Sequence, residues 1–384
     1  MAMHVNDNKL SEAVELISML GFDGLPEALK ILLNEAMVIE RSRHLQAEHY
    51  ERTQLRQGYA NGFKPKTIAS RLGELTVSVP QVRDADFYPT CLEKGLRSER
   101  ALKIAIAEMY VQGVSTRKVD AILKDLCGLS ISSAEVSRCA KALDDTLHQW
   151  RIRPLGQYPY VFVDARYEKV RHGGSVVDSA VLVAYGVNQQ GQRDILGVSV
   201  ALSEQEAHWR AFFESLVSRG LHGVKLITSD AHAGLKAARK AVFPSVPWQR
   251  CQFHLQQNAQ AYVPKKNMKV AVAETLRAIF QAENREEACR LLKIAITKYQ
   301  PTAPSLAQWM EANIEEGLTV FAFPVEHRKR LRTSNIAERV NKEIRRRTRV
   351  ATLFPNLASC ERLVSAVLME ISEEWQAGYV YLAL

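Results

Sequence analysis

The sequence predicts an α/β protein in which a mostly helical first third precedes a mixed sheet, a helical insertion and two closing helices. Three observations carry that prediction. Apolar residues recur at three- and four-residue intervals over Leu10–Ile17 and Leu25–Glu40, the period of an amphipathic helix. Beyond residue 155 the texture changes to β-branched runs broken by glycine, which reads as strands. From His254 to about Phe323 no further strand pattern occurs.

The 384 residues allow two or three domains, each with its own core. Hydrophobic residues make up 47% and charged residues 24%, a globular balance that excludes extensive disorder. Six scattered cysteines form no CxxC pair, which excludes a disulfide framework and a four-ligand zinc site. No signal peptide is visible in Met1–Leu20, and no apolar stretch reaches membrane-spanning length. The expected setting is a reducing cytoplasm, with no membrane partner. The 51 Lys and Arg exceed the 42 Asp and Glu by nine, which favours a polyanionic partner only mildly.

In the first third, a basic, Gly-rich piece, Arg56–Lys66, leads into an alternating run, Leu72–Pro80, expected as a short strand or hairpin arm. Ser115 is a candidate N-cap for a helix over Thr116–Lys124, and Cys127–Ser130 reads as a turn. Ser132 and Glu135 then have capping-box spacing for a helix over Ala134–Asp144. Two short helices about a Gly-containing turn match a helix-turn-helix, whose second helix would offer Ser133, Glu135, Ser137 and Arg138 to DNA. A plain helical hairpin is the alternative, and pattern alone favours it.

Three consecutive strands are expected at Tyr160–Asp164, Ser179–Tyr185 and Arg193–Val200. A helix (Glu204–Arg219), a strand (Val224–Thr228), a helix (Leu235–Val242) and a strand (Trp248–Cys251) follow. That order is the order of an RNase H-like core. Helices over Ser334–Thr348 and Phe354–Trp375 complete the chain. The expected domains are 1–150 (helical, DNA-binding), 155–253 (first part of the core), 254–325 (helical insertion) and 326–384 (core completion).

Asp164 and Asp230 each close an apolar run, and ligands bind at such strand ends. Two carboxylates there repel each other unless a cation lies between them, and hard cations take oxygen ligands. A third acid is expected from a helix. Glu338 shares a helical face with Asn335, Asn341, Lys342 and Arg345, whereas Glu343 points elsewhere and is the second choice. Between His327 and Arg349 stand ten cations and two acids. Arg339, Lys342, Arg345, Arg346, Arg347 and Arg349 are the expected grips on a polyanion. No G-x-S-x-G elbow or Walker loop is present.

These motifs together resemble the Mutator-type transposases of bacterial insertion sequences. The resemblance is carried by Tyr110–Asp120, Val163-Asp-Ala165, Ser229–Ala237, Trp248–His254 and Asn335–Pro355, and it runs from about Gly58 to Trp375. It implies a DDE triad of Asp164, Asp230 and Glu338, spaced by 66 and 108 residues. The triad would hold two Mg²⁺ ions, with Mn²⁺ able to substitute, for cleavage and strand transfer. The resemblance also implies a Cys-x-x-His motif at Cys251 and His254, which either assists the active site or packs in the core. It further implies binding to double-stranded DNA (terminal inverted repeats and target), a homo-oligomer of at least two subunits, and a bacterial, nucleoid-associated setting. It makes the helix-turn-helix the expected reader of element ends. His232 and Lys236 are left open between substrate contact and a structural role. The alternatives are a metal-dependent nuclease without strand transfer and a catalytically silent DNA-binding regulator.

Overall fold

The computed structural model describes residues 7–48, 51–92, 98, 100–349, 353–378 and 380–383. Its contacts divide the chain into two compact units, Met1–Ala142 and Leu143–Leu384.

The first unit opens with α1 (Asp7–Leu20) and α2 (Leu25–Leu45). A proline in the first turn of α2 suits a position whose N–H has no helical acceptor. A hairpin follows, β1 (Tyr59–Ser70) and β2 (Gly73–Arg83), with a register shift between Ala60 and Phe63. On β2, Leu75, Val77 and Val79 are buried while Glu74, Thr76 and Ser78 are exposed, the alternation of a half-buried strand. Val77 and Val79 pack with Met37 of α2 and with Leu92. The piece Arg56–Lys66 thus supplies most of a strand that its sequence does not announce. Gly62, at φ +74°, and Pro65 interrupt any alternation there, and proline is tolerated on an edge strand.

Among the described residues three helices complete this unit: α3 (Arg100–Val111), α4 (Thr116–Cys127) and α5 (Ser133–Lys141). Both expected caps form. Ser115 accepts from the Lys118 N–H, and Ser132 accepts from the Glu135 N–H at 3.1 Å. Gly128 ends α4 in the left-handed region, and Asp120 pins the turn by accepting from the Ile131 N–H at 2.7 Å. The second helix ends three residues earlier than expected.

The second unit begins with α6 (Asp144–Ile152). Its five strands among the described residues are β3 (Tyr160–His172), β4 (Ser175–Val187), β5 (Arg193–Ala201), β6 (Leu226–Ser229) and β7 (Trp248–Arg250). They lie in the order β5-β4-β3-β6-β7. The first three pair antiparallel; β6 joins β3, and β7 joins β6, in parallel. Parallel strands need crossovers, and α7 (Glu206–Ser218) and α8 (Ala233–Val242) supply them. This is the element order read from the sequence.

Pleating divides the sheet into two faces. Val161, Val163, Leu182, Leu196 and Ile227 form one core with Trp209, Phe213 and Leu216 of α7 and Leu235 of α8. Burial of each large side chain contributes about 1.5–3 kcal/mol. Phe162, Val183, Tyr185 and Ile195 alternate with that set and are fully buried.

The next helices are α9 (Gln252–Ala259), α10 (Lys269–Phe280), α11 (Arg285–Tyr299) and α12 (Pro304–Asn313). Then come α13 (Val325–Leu331), α14 (Asn335–Thr348) and α15 (Leu357–Ala377). Among the described residues no strand occurs between 254 and 323. This helical stretch is anchored to the sheet through buried amides. Gln249 and Gln252 each donate to the Gly317 carbonyl at 2.8 Å, and Gln249 accepts from the Val320 N–H. α15 packs against β5 and β3, with Trp375 and Tyr185 ring centroids 6.3 Å apart. No helix among the described residues is long and apolar enough to cross a membrane.

Candidate active site

Strand register builds the site. Phe162 pairs with Thr228, and Ser229 pairs with Arg250. Continued by two residues along β3 and β6, and by one along β6 and β7, that register sets Asp164, Asp230 and Cys251 level in one row. Neighbouring strands run about 4.8 Å apart, so the two carboxylates come from adjacent backbones. Asp164 does not end its strand, contrary to expectation. β3 continues to His172, because its charged residues Arg166, Glu168, Lys169 and Arg171 stay paired with β4. Asp230 follows the last residue of β6 and caps itself, its Oδ1 accepting from the Ala231 N–H at 2.7 Å.

Asp164 is half-buried, and burial raises its carboxyl to about 6. A hydrogen bond from Asn341 and the His254 charge oppose that rise, while Asp230 adds to it. A carboxyl above its ordinary range beside a second carboxylate is a pair that a cation would stabilise.

Helix α14 is tied to the sheet ends at several points. Thr228 donates to the Leu331 carbonyl at 2.9 Å, and the Gln252 N–H donates to the Arg332 carbonyl at 2.9 Å. The Ser334 hydroxyl donates to Cys251 Sγ at 3.3 Å, with its N–H at 3.4 Å from the same sulfur. Ser334 is the N-cap residue of α14, yet its hydroxyl caps no helical N–H. Asn341 Nδ2 donates to Asp164 Oδ2 at 2.7 Å, and Arg166 donates to the Asn341 carbonyl at 2.6 Å. The sequence marked Asn341 as sharing a face with Glu338, but it gave no sign of Ser334's bond to Cys251, which spans 83 residues.

Glu338 lies in the first turn of α14, one turn ahead of Asn341; it is exposed, and its carboxylate has no hydrogen-bond or ion-pair partner among the described residues. No three His, Cys, Asp or Glu side chains among the described residues are grouped closely enough to hold one metal ion. The structure therefore brings Asp164 and Asp230 together and leaves Glu338 on the neighbouring helix. Glu343, the second choice, is engaged elsewhere. Hydrogen bonds from Arg346 and Arg347 hold its carboxyl below the usual range.

Cys251 is the N-cap residue of α9, and His254 lies in its first turn. Burial pushes the Cys251 thiol up, but hydrogen bonding from His254 and Ser334 outweighs it and leaves the thiol lowered. The Cys251 sulfur in turn raises the His254 imidazole to about 9, against burial. His254 Nδ1 is buried and has no hydrogen-bond partner among the described residues. The flanking candidates take part in side-chain pairs. His232 lies 3.7 Å from Glu204, and Lys236 bonds Glu316 at 2.6 Å while sitting over the Trp248 ring.

The basic residues of α14 separate into two sets. Arg339, Lys342, Arg345 and Arg349 are exposed and without an ion-pair partner among the described residues. Arg346 is exposed but paired with Glu343. Arg347 departs from expectation: its side chain is 5% exposed and bonds both Glu343 and Glu370. Its position on the inner side of the helix, with Val340 and Ile344, commits its charge within the protein. In the first unit, Ser133, Ser137 and Arg138 are exposed on α5, with Arg138 paired to Glu135.

Residues 3–378 match the family described as transposase, Mutator family. The chain is 59% identical over 384 residues to the transposase for insertion sequence element IS406 of Burkholderia multivorans, covering 100% of this chain and 99% of that one. It is 42% identical over 373 residues to the transposase for ISRM5 of Rhizobium meliloti, covering 97% and 94%. It is 38% identical over 357 residues to the transposase for IS256 in transposon Tn4001 of Staphylococcus aureus, covering 90% of each. The chain belongs to the Mutator family of transposases.

Proposed function

We propose that this transposase binds the terminal inverted repeats of an insertion sequence and catalyses metal-dependent strand cleavage and strand transfer from an RNase H-like core. The observation that carries the reading is the level pair Asp164 and Asp230 on adjacent parallel strands, with α14 docked on Asp164 through Asn341. All-oxygen donors on neighbouring strands suit Mg²⁺, with Mn²⁺ as a substitute. Asp164 and Asp230 would hold the ions from the sheet, and Glu338, unpartnered and exposed, would complete the set from α14. Two ions bound there would activate the attacking water or 3′-hydroxyl and stabilise the leaving oxygen.

The chain's own groups have separate tasks. Asn341 fixes the rotamer of Asp164. Cys251 and His254 assist by joining the second strand pair to the start of α14 and by setting a positive charge beside both aspartates. Arg339, Lys342, Arg345 and Arg349 neutralise phosphates along the helix. Ser133, Ser137 and Arg138 on the helix-turn-helix read the element ends, and at least two subunits act together because an element has two ends.

The test is cleavage of a labelled duplex carrying the terminal repeat of the element that encodes the protein, with Mg²⁺ or Mn²⁺. Wild type should nick at the repeat boundary, while Asp164→Asn, Asp230→Asn and Glu338→Gln should each bind the repeat and fail to cut. Near-normal cutting by any of the three would remove that residue from the triad. Sequence-indifferent cutting by wild type would instead mark a nuclease.

A further inference from the structure

The sheet face that carries Asp164 also holds a polar group with no task in the reading above. Between β3 and β4, Phe162 pairs with Tyr185 and Asp164 pairs with Val183. Side chains alternate along a strand, so Tyr185 shares the face of Asp164 and stands diagonally across the ladder from it. Residues so related lie about 7–8 Å apart, within reach of an aromatic side chain.

Tyr185 is fully buried, and its hydroxyl has no hydrogen-bond partner among the described residues. Its ring lies beside Trp375 of α15, with centroids 6.3 Å apart. Phenylalanine would offer the same ring without burying a hydroxyl, and a buried donor left without an acceptor costs stability. Packing therefore accounts for the ring and not for its oxygen.

Two charged side chains act on that hydroxyl, Asp164 and Arg166. Burial and the Asp164 charge hold the phenol well above its ordinary range against the pull of Arg166, so it keeps its proton and can donate. Arg166 carries donors only. It is also committed already, to the Asn341 carbonyl at 2.6 Å and to Glu168. Asp164 can accept. Its Oδ2 takes the Asn341 amide at 2.7 Å, and no other side chain among the described residues donates to the carboxylate. A carboxylate that ligates a metal is itself held by hydrogen bonds from behind, and those partners set the affinity for the ion.

We propose that Tyr185 is a positioning residue for Asp164, its hydroxyl being the second donor, beside Asn341, that fixes the carboxylate for a divalent ion. The contact is open here and closes in the ion-bound form. The proposal deepens the reading of Asp164 and Asp230 as a metal site and rests on it.

The experiment titrates the full-length protein with Mn²⁺ alone and follows the thermal midpoint of wild type and of Tyr185→Phe. Without metal, Tyr185→Phe should melt at or above the wild-type temperature, because no bond is lost. Its half-saturating Mn²⁺ concentration should rise about 10-fold or more, the effect of losing such a partner. Free Mn²⁺ counted by electron paramagnetic resonance gives the same constant without unfolding, so a change in stability cannot imitate a change in affinity. Equal half-saturation in the two proteins would overturn the role of Tyr185 and leave the metal site standing. A lower metal-free midpoint with unchanged half-saturation would overturn it as well, by assigning the hydroxyl to the fold alone. Wild type that takes up no Mn²⁺ would overturn the metal reading itself, and this proposal with it.

Discussion

Asn341 of α14 and Asp164 of β3 meet at 2.7 Å, although 177 residues separate them in the chain. The contact lays the acid-bearing helix along the middle strand of the sheet, and Arg166 reinforces it from the strand side. Removing the amide by Asn341→Ala should destabilise the protein by about 1.5–3 kcal/mol, the range for a hydrogen bond to a charged group. It should also release the opposing influence on Asp164 and raise its pKa further. Denaturant unfolding reads the first effect. An acid limb of cleavage that moves to higher pH reads the second, and an unmoved limb would break the link between the two residues.

Asp164 itself should be a liability for stability. Its folded pKa, about 6, lies above the ordinary value of 3.8, so the native state binds the extra proton between those two values. Stability therefore falls as pH rises through that window, and the whole penalty is present above about 6. Asp164→Asn should unfold at higher denaturant than wild type at neutral pH, by roughly 1–3 kcal/mol, with the difference closing below about pH 4. Equal stabilities at neutral pH would contradict this.

The His254 imidazole offers a second titration with the opposite sign. Its folded pKa of about 9 lies above the ordinary 6.5, mainly because of the Cys251 sulfur. Its stabilising contribution is fully present below about 6.5 and is lost as pH rises through about 9. In Cys251→Ala the imidazole should titrate near its ordinary value, as followed by its ring-proton NMR shift. A midpoint that stayed near 9 would assign the effect to the aspartates instead.

Ser334→Ala should loosen the start of α14 without touching the carboxylates. Loss of its hydroxyl bond to Cys251 should cost about 0.5–1.5 kcal/mol. Amide exchange should quicken over the first turns of α14 and little elsewhere. Exchange unchanged there would mean that the Thr228 and Gln252 bonds hold the junction alone.

Gly317→Ala tests the anchor of the helical stretch. A Cβ at this position would stand 2.4 Å from Leu255 Cδ1, a fully buried side chain. Overpacking of this kind costs about 1–3 kcal/mol. A thermal midpoint equal to wild type would show that Leu255 can shift freely.

Local chemistry explains what could be read from the chain. The succession from Tyr160 to Arg250 follows from β-branched runs and glycine turns, and the caps at Ser115 and Ser132 follow from one side chain and its next three residues. The two aspartates were visible as residues closing apolar runs. Their alignment was not, because it depends on register between strands whose pairing spans 66 residues. The far half of β3 was hidden because its charged residues break the apolar run, although pairing with β4 satisfies its backbone. β1 was hidden by Gly62 and Pro65. The exposure of Glu338 and the inward turn of Arg347 are consequences of how α14 seats, which spacing alone does not fix.

The level row has a consequence for how this gene can change. Successive side chains on β3 point to opposite faces, so Asp164 shares its side with Phe162 and Tyr160. Deleting or inserting one residue between Tyr160 and Asp164 would turn the carboxylate to the face of Val161 and Val163, away from Asn341. Conservative substitutions at those positions can be absorbed by repacking, whereas a single-codon insertion or deletion should silence the element at once.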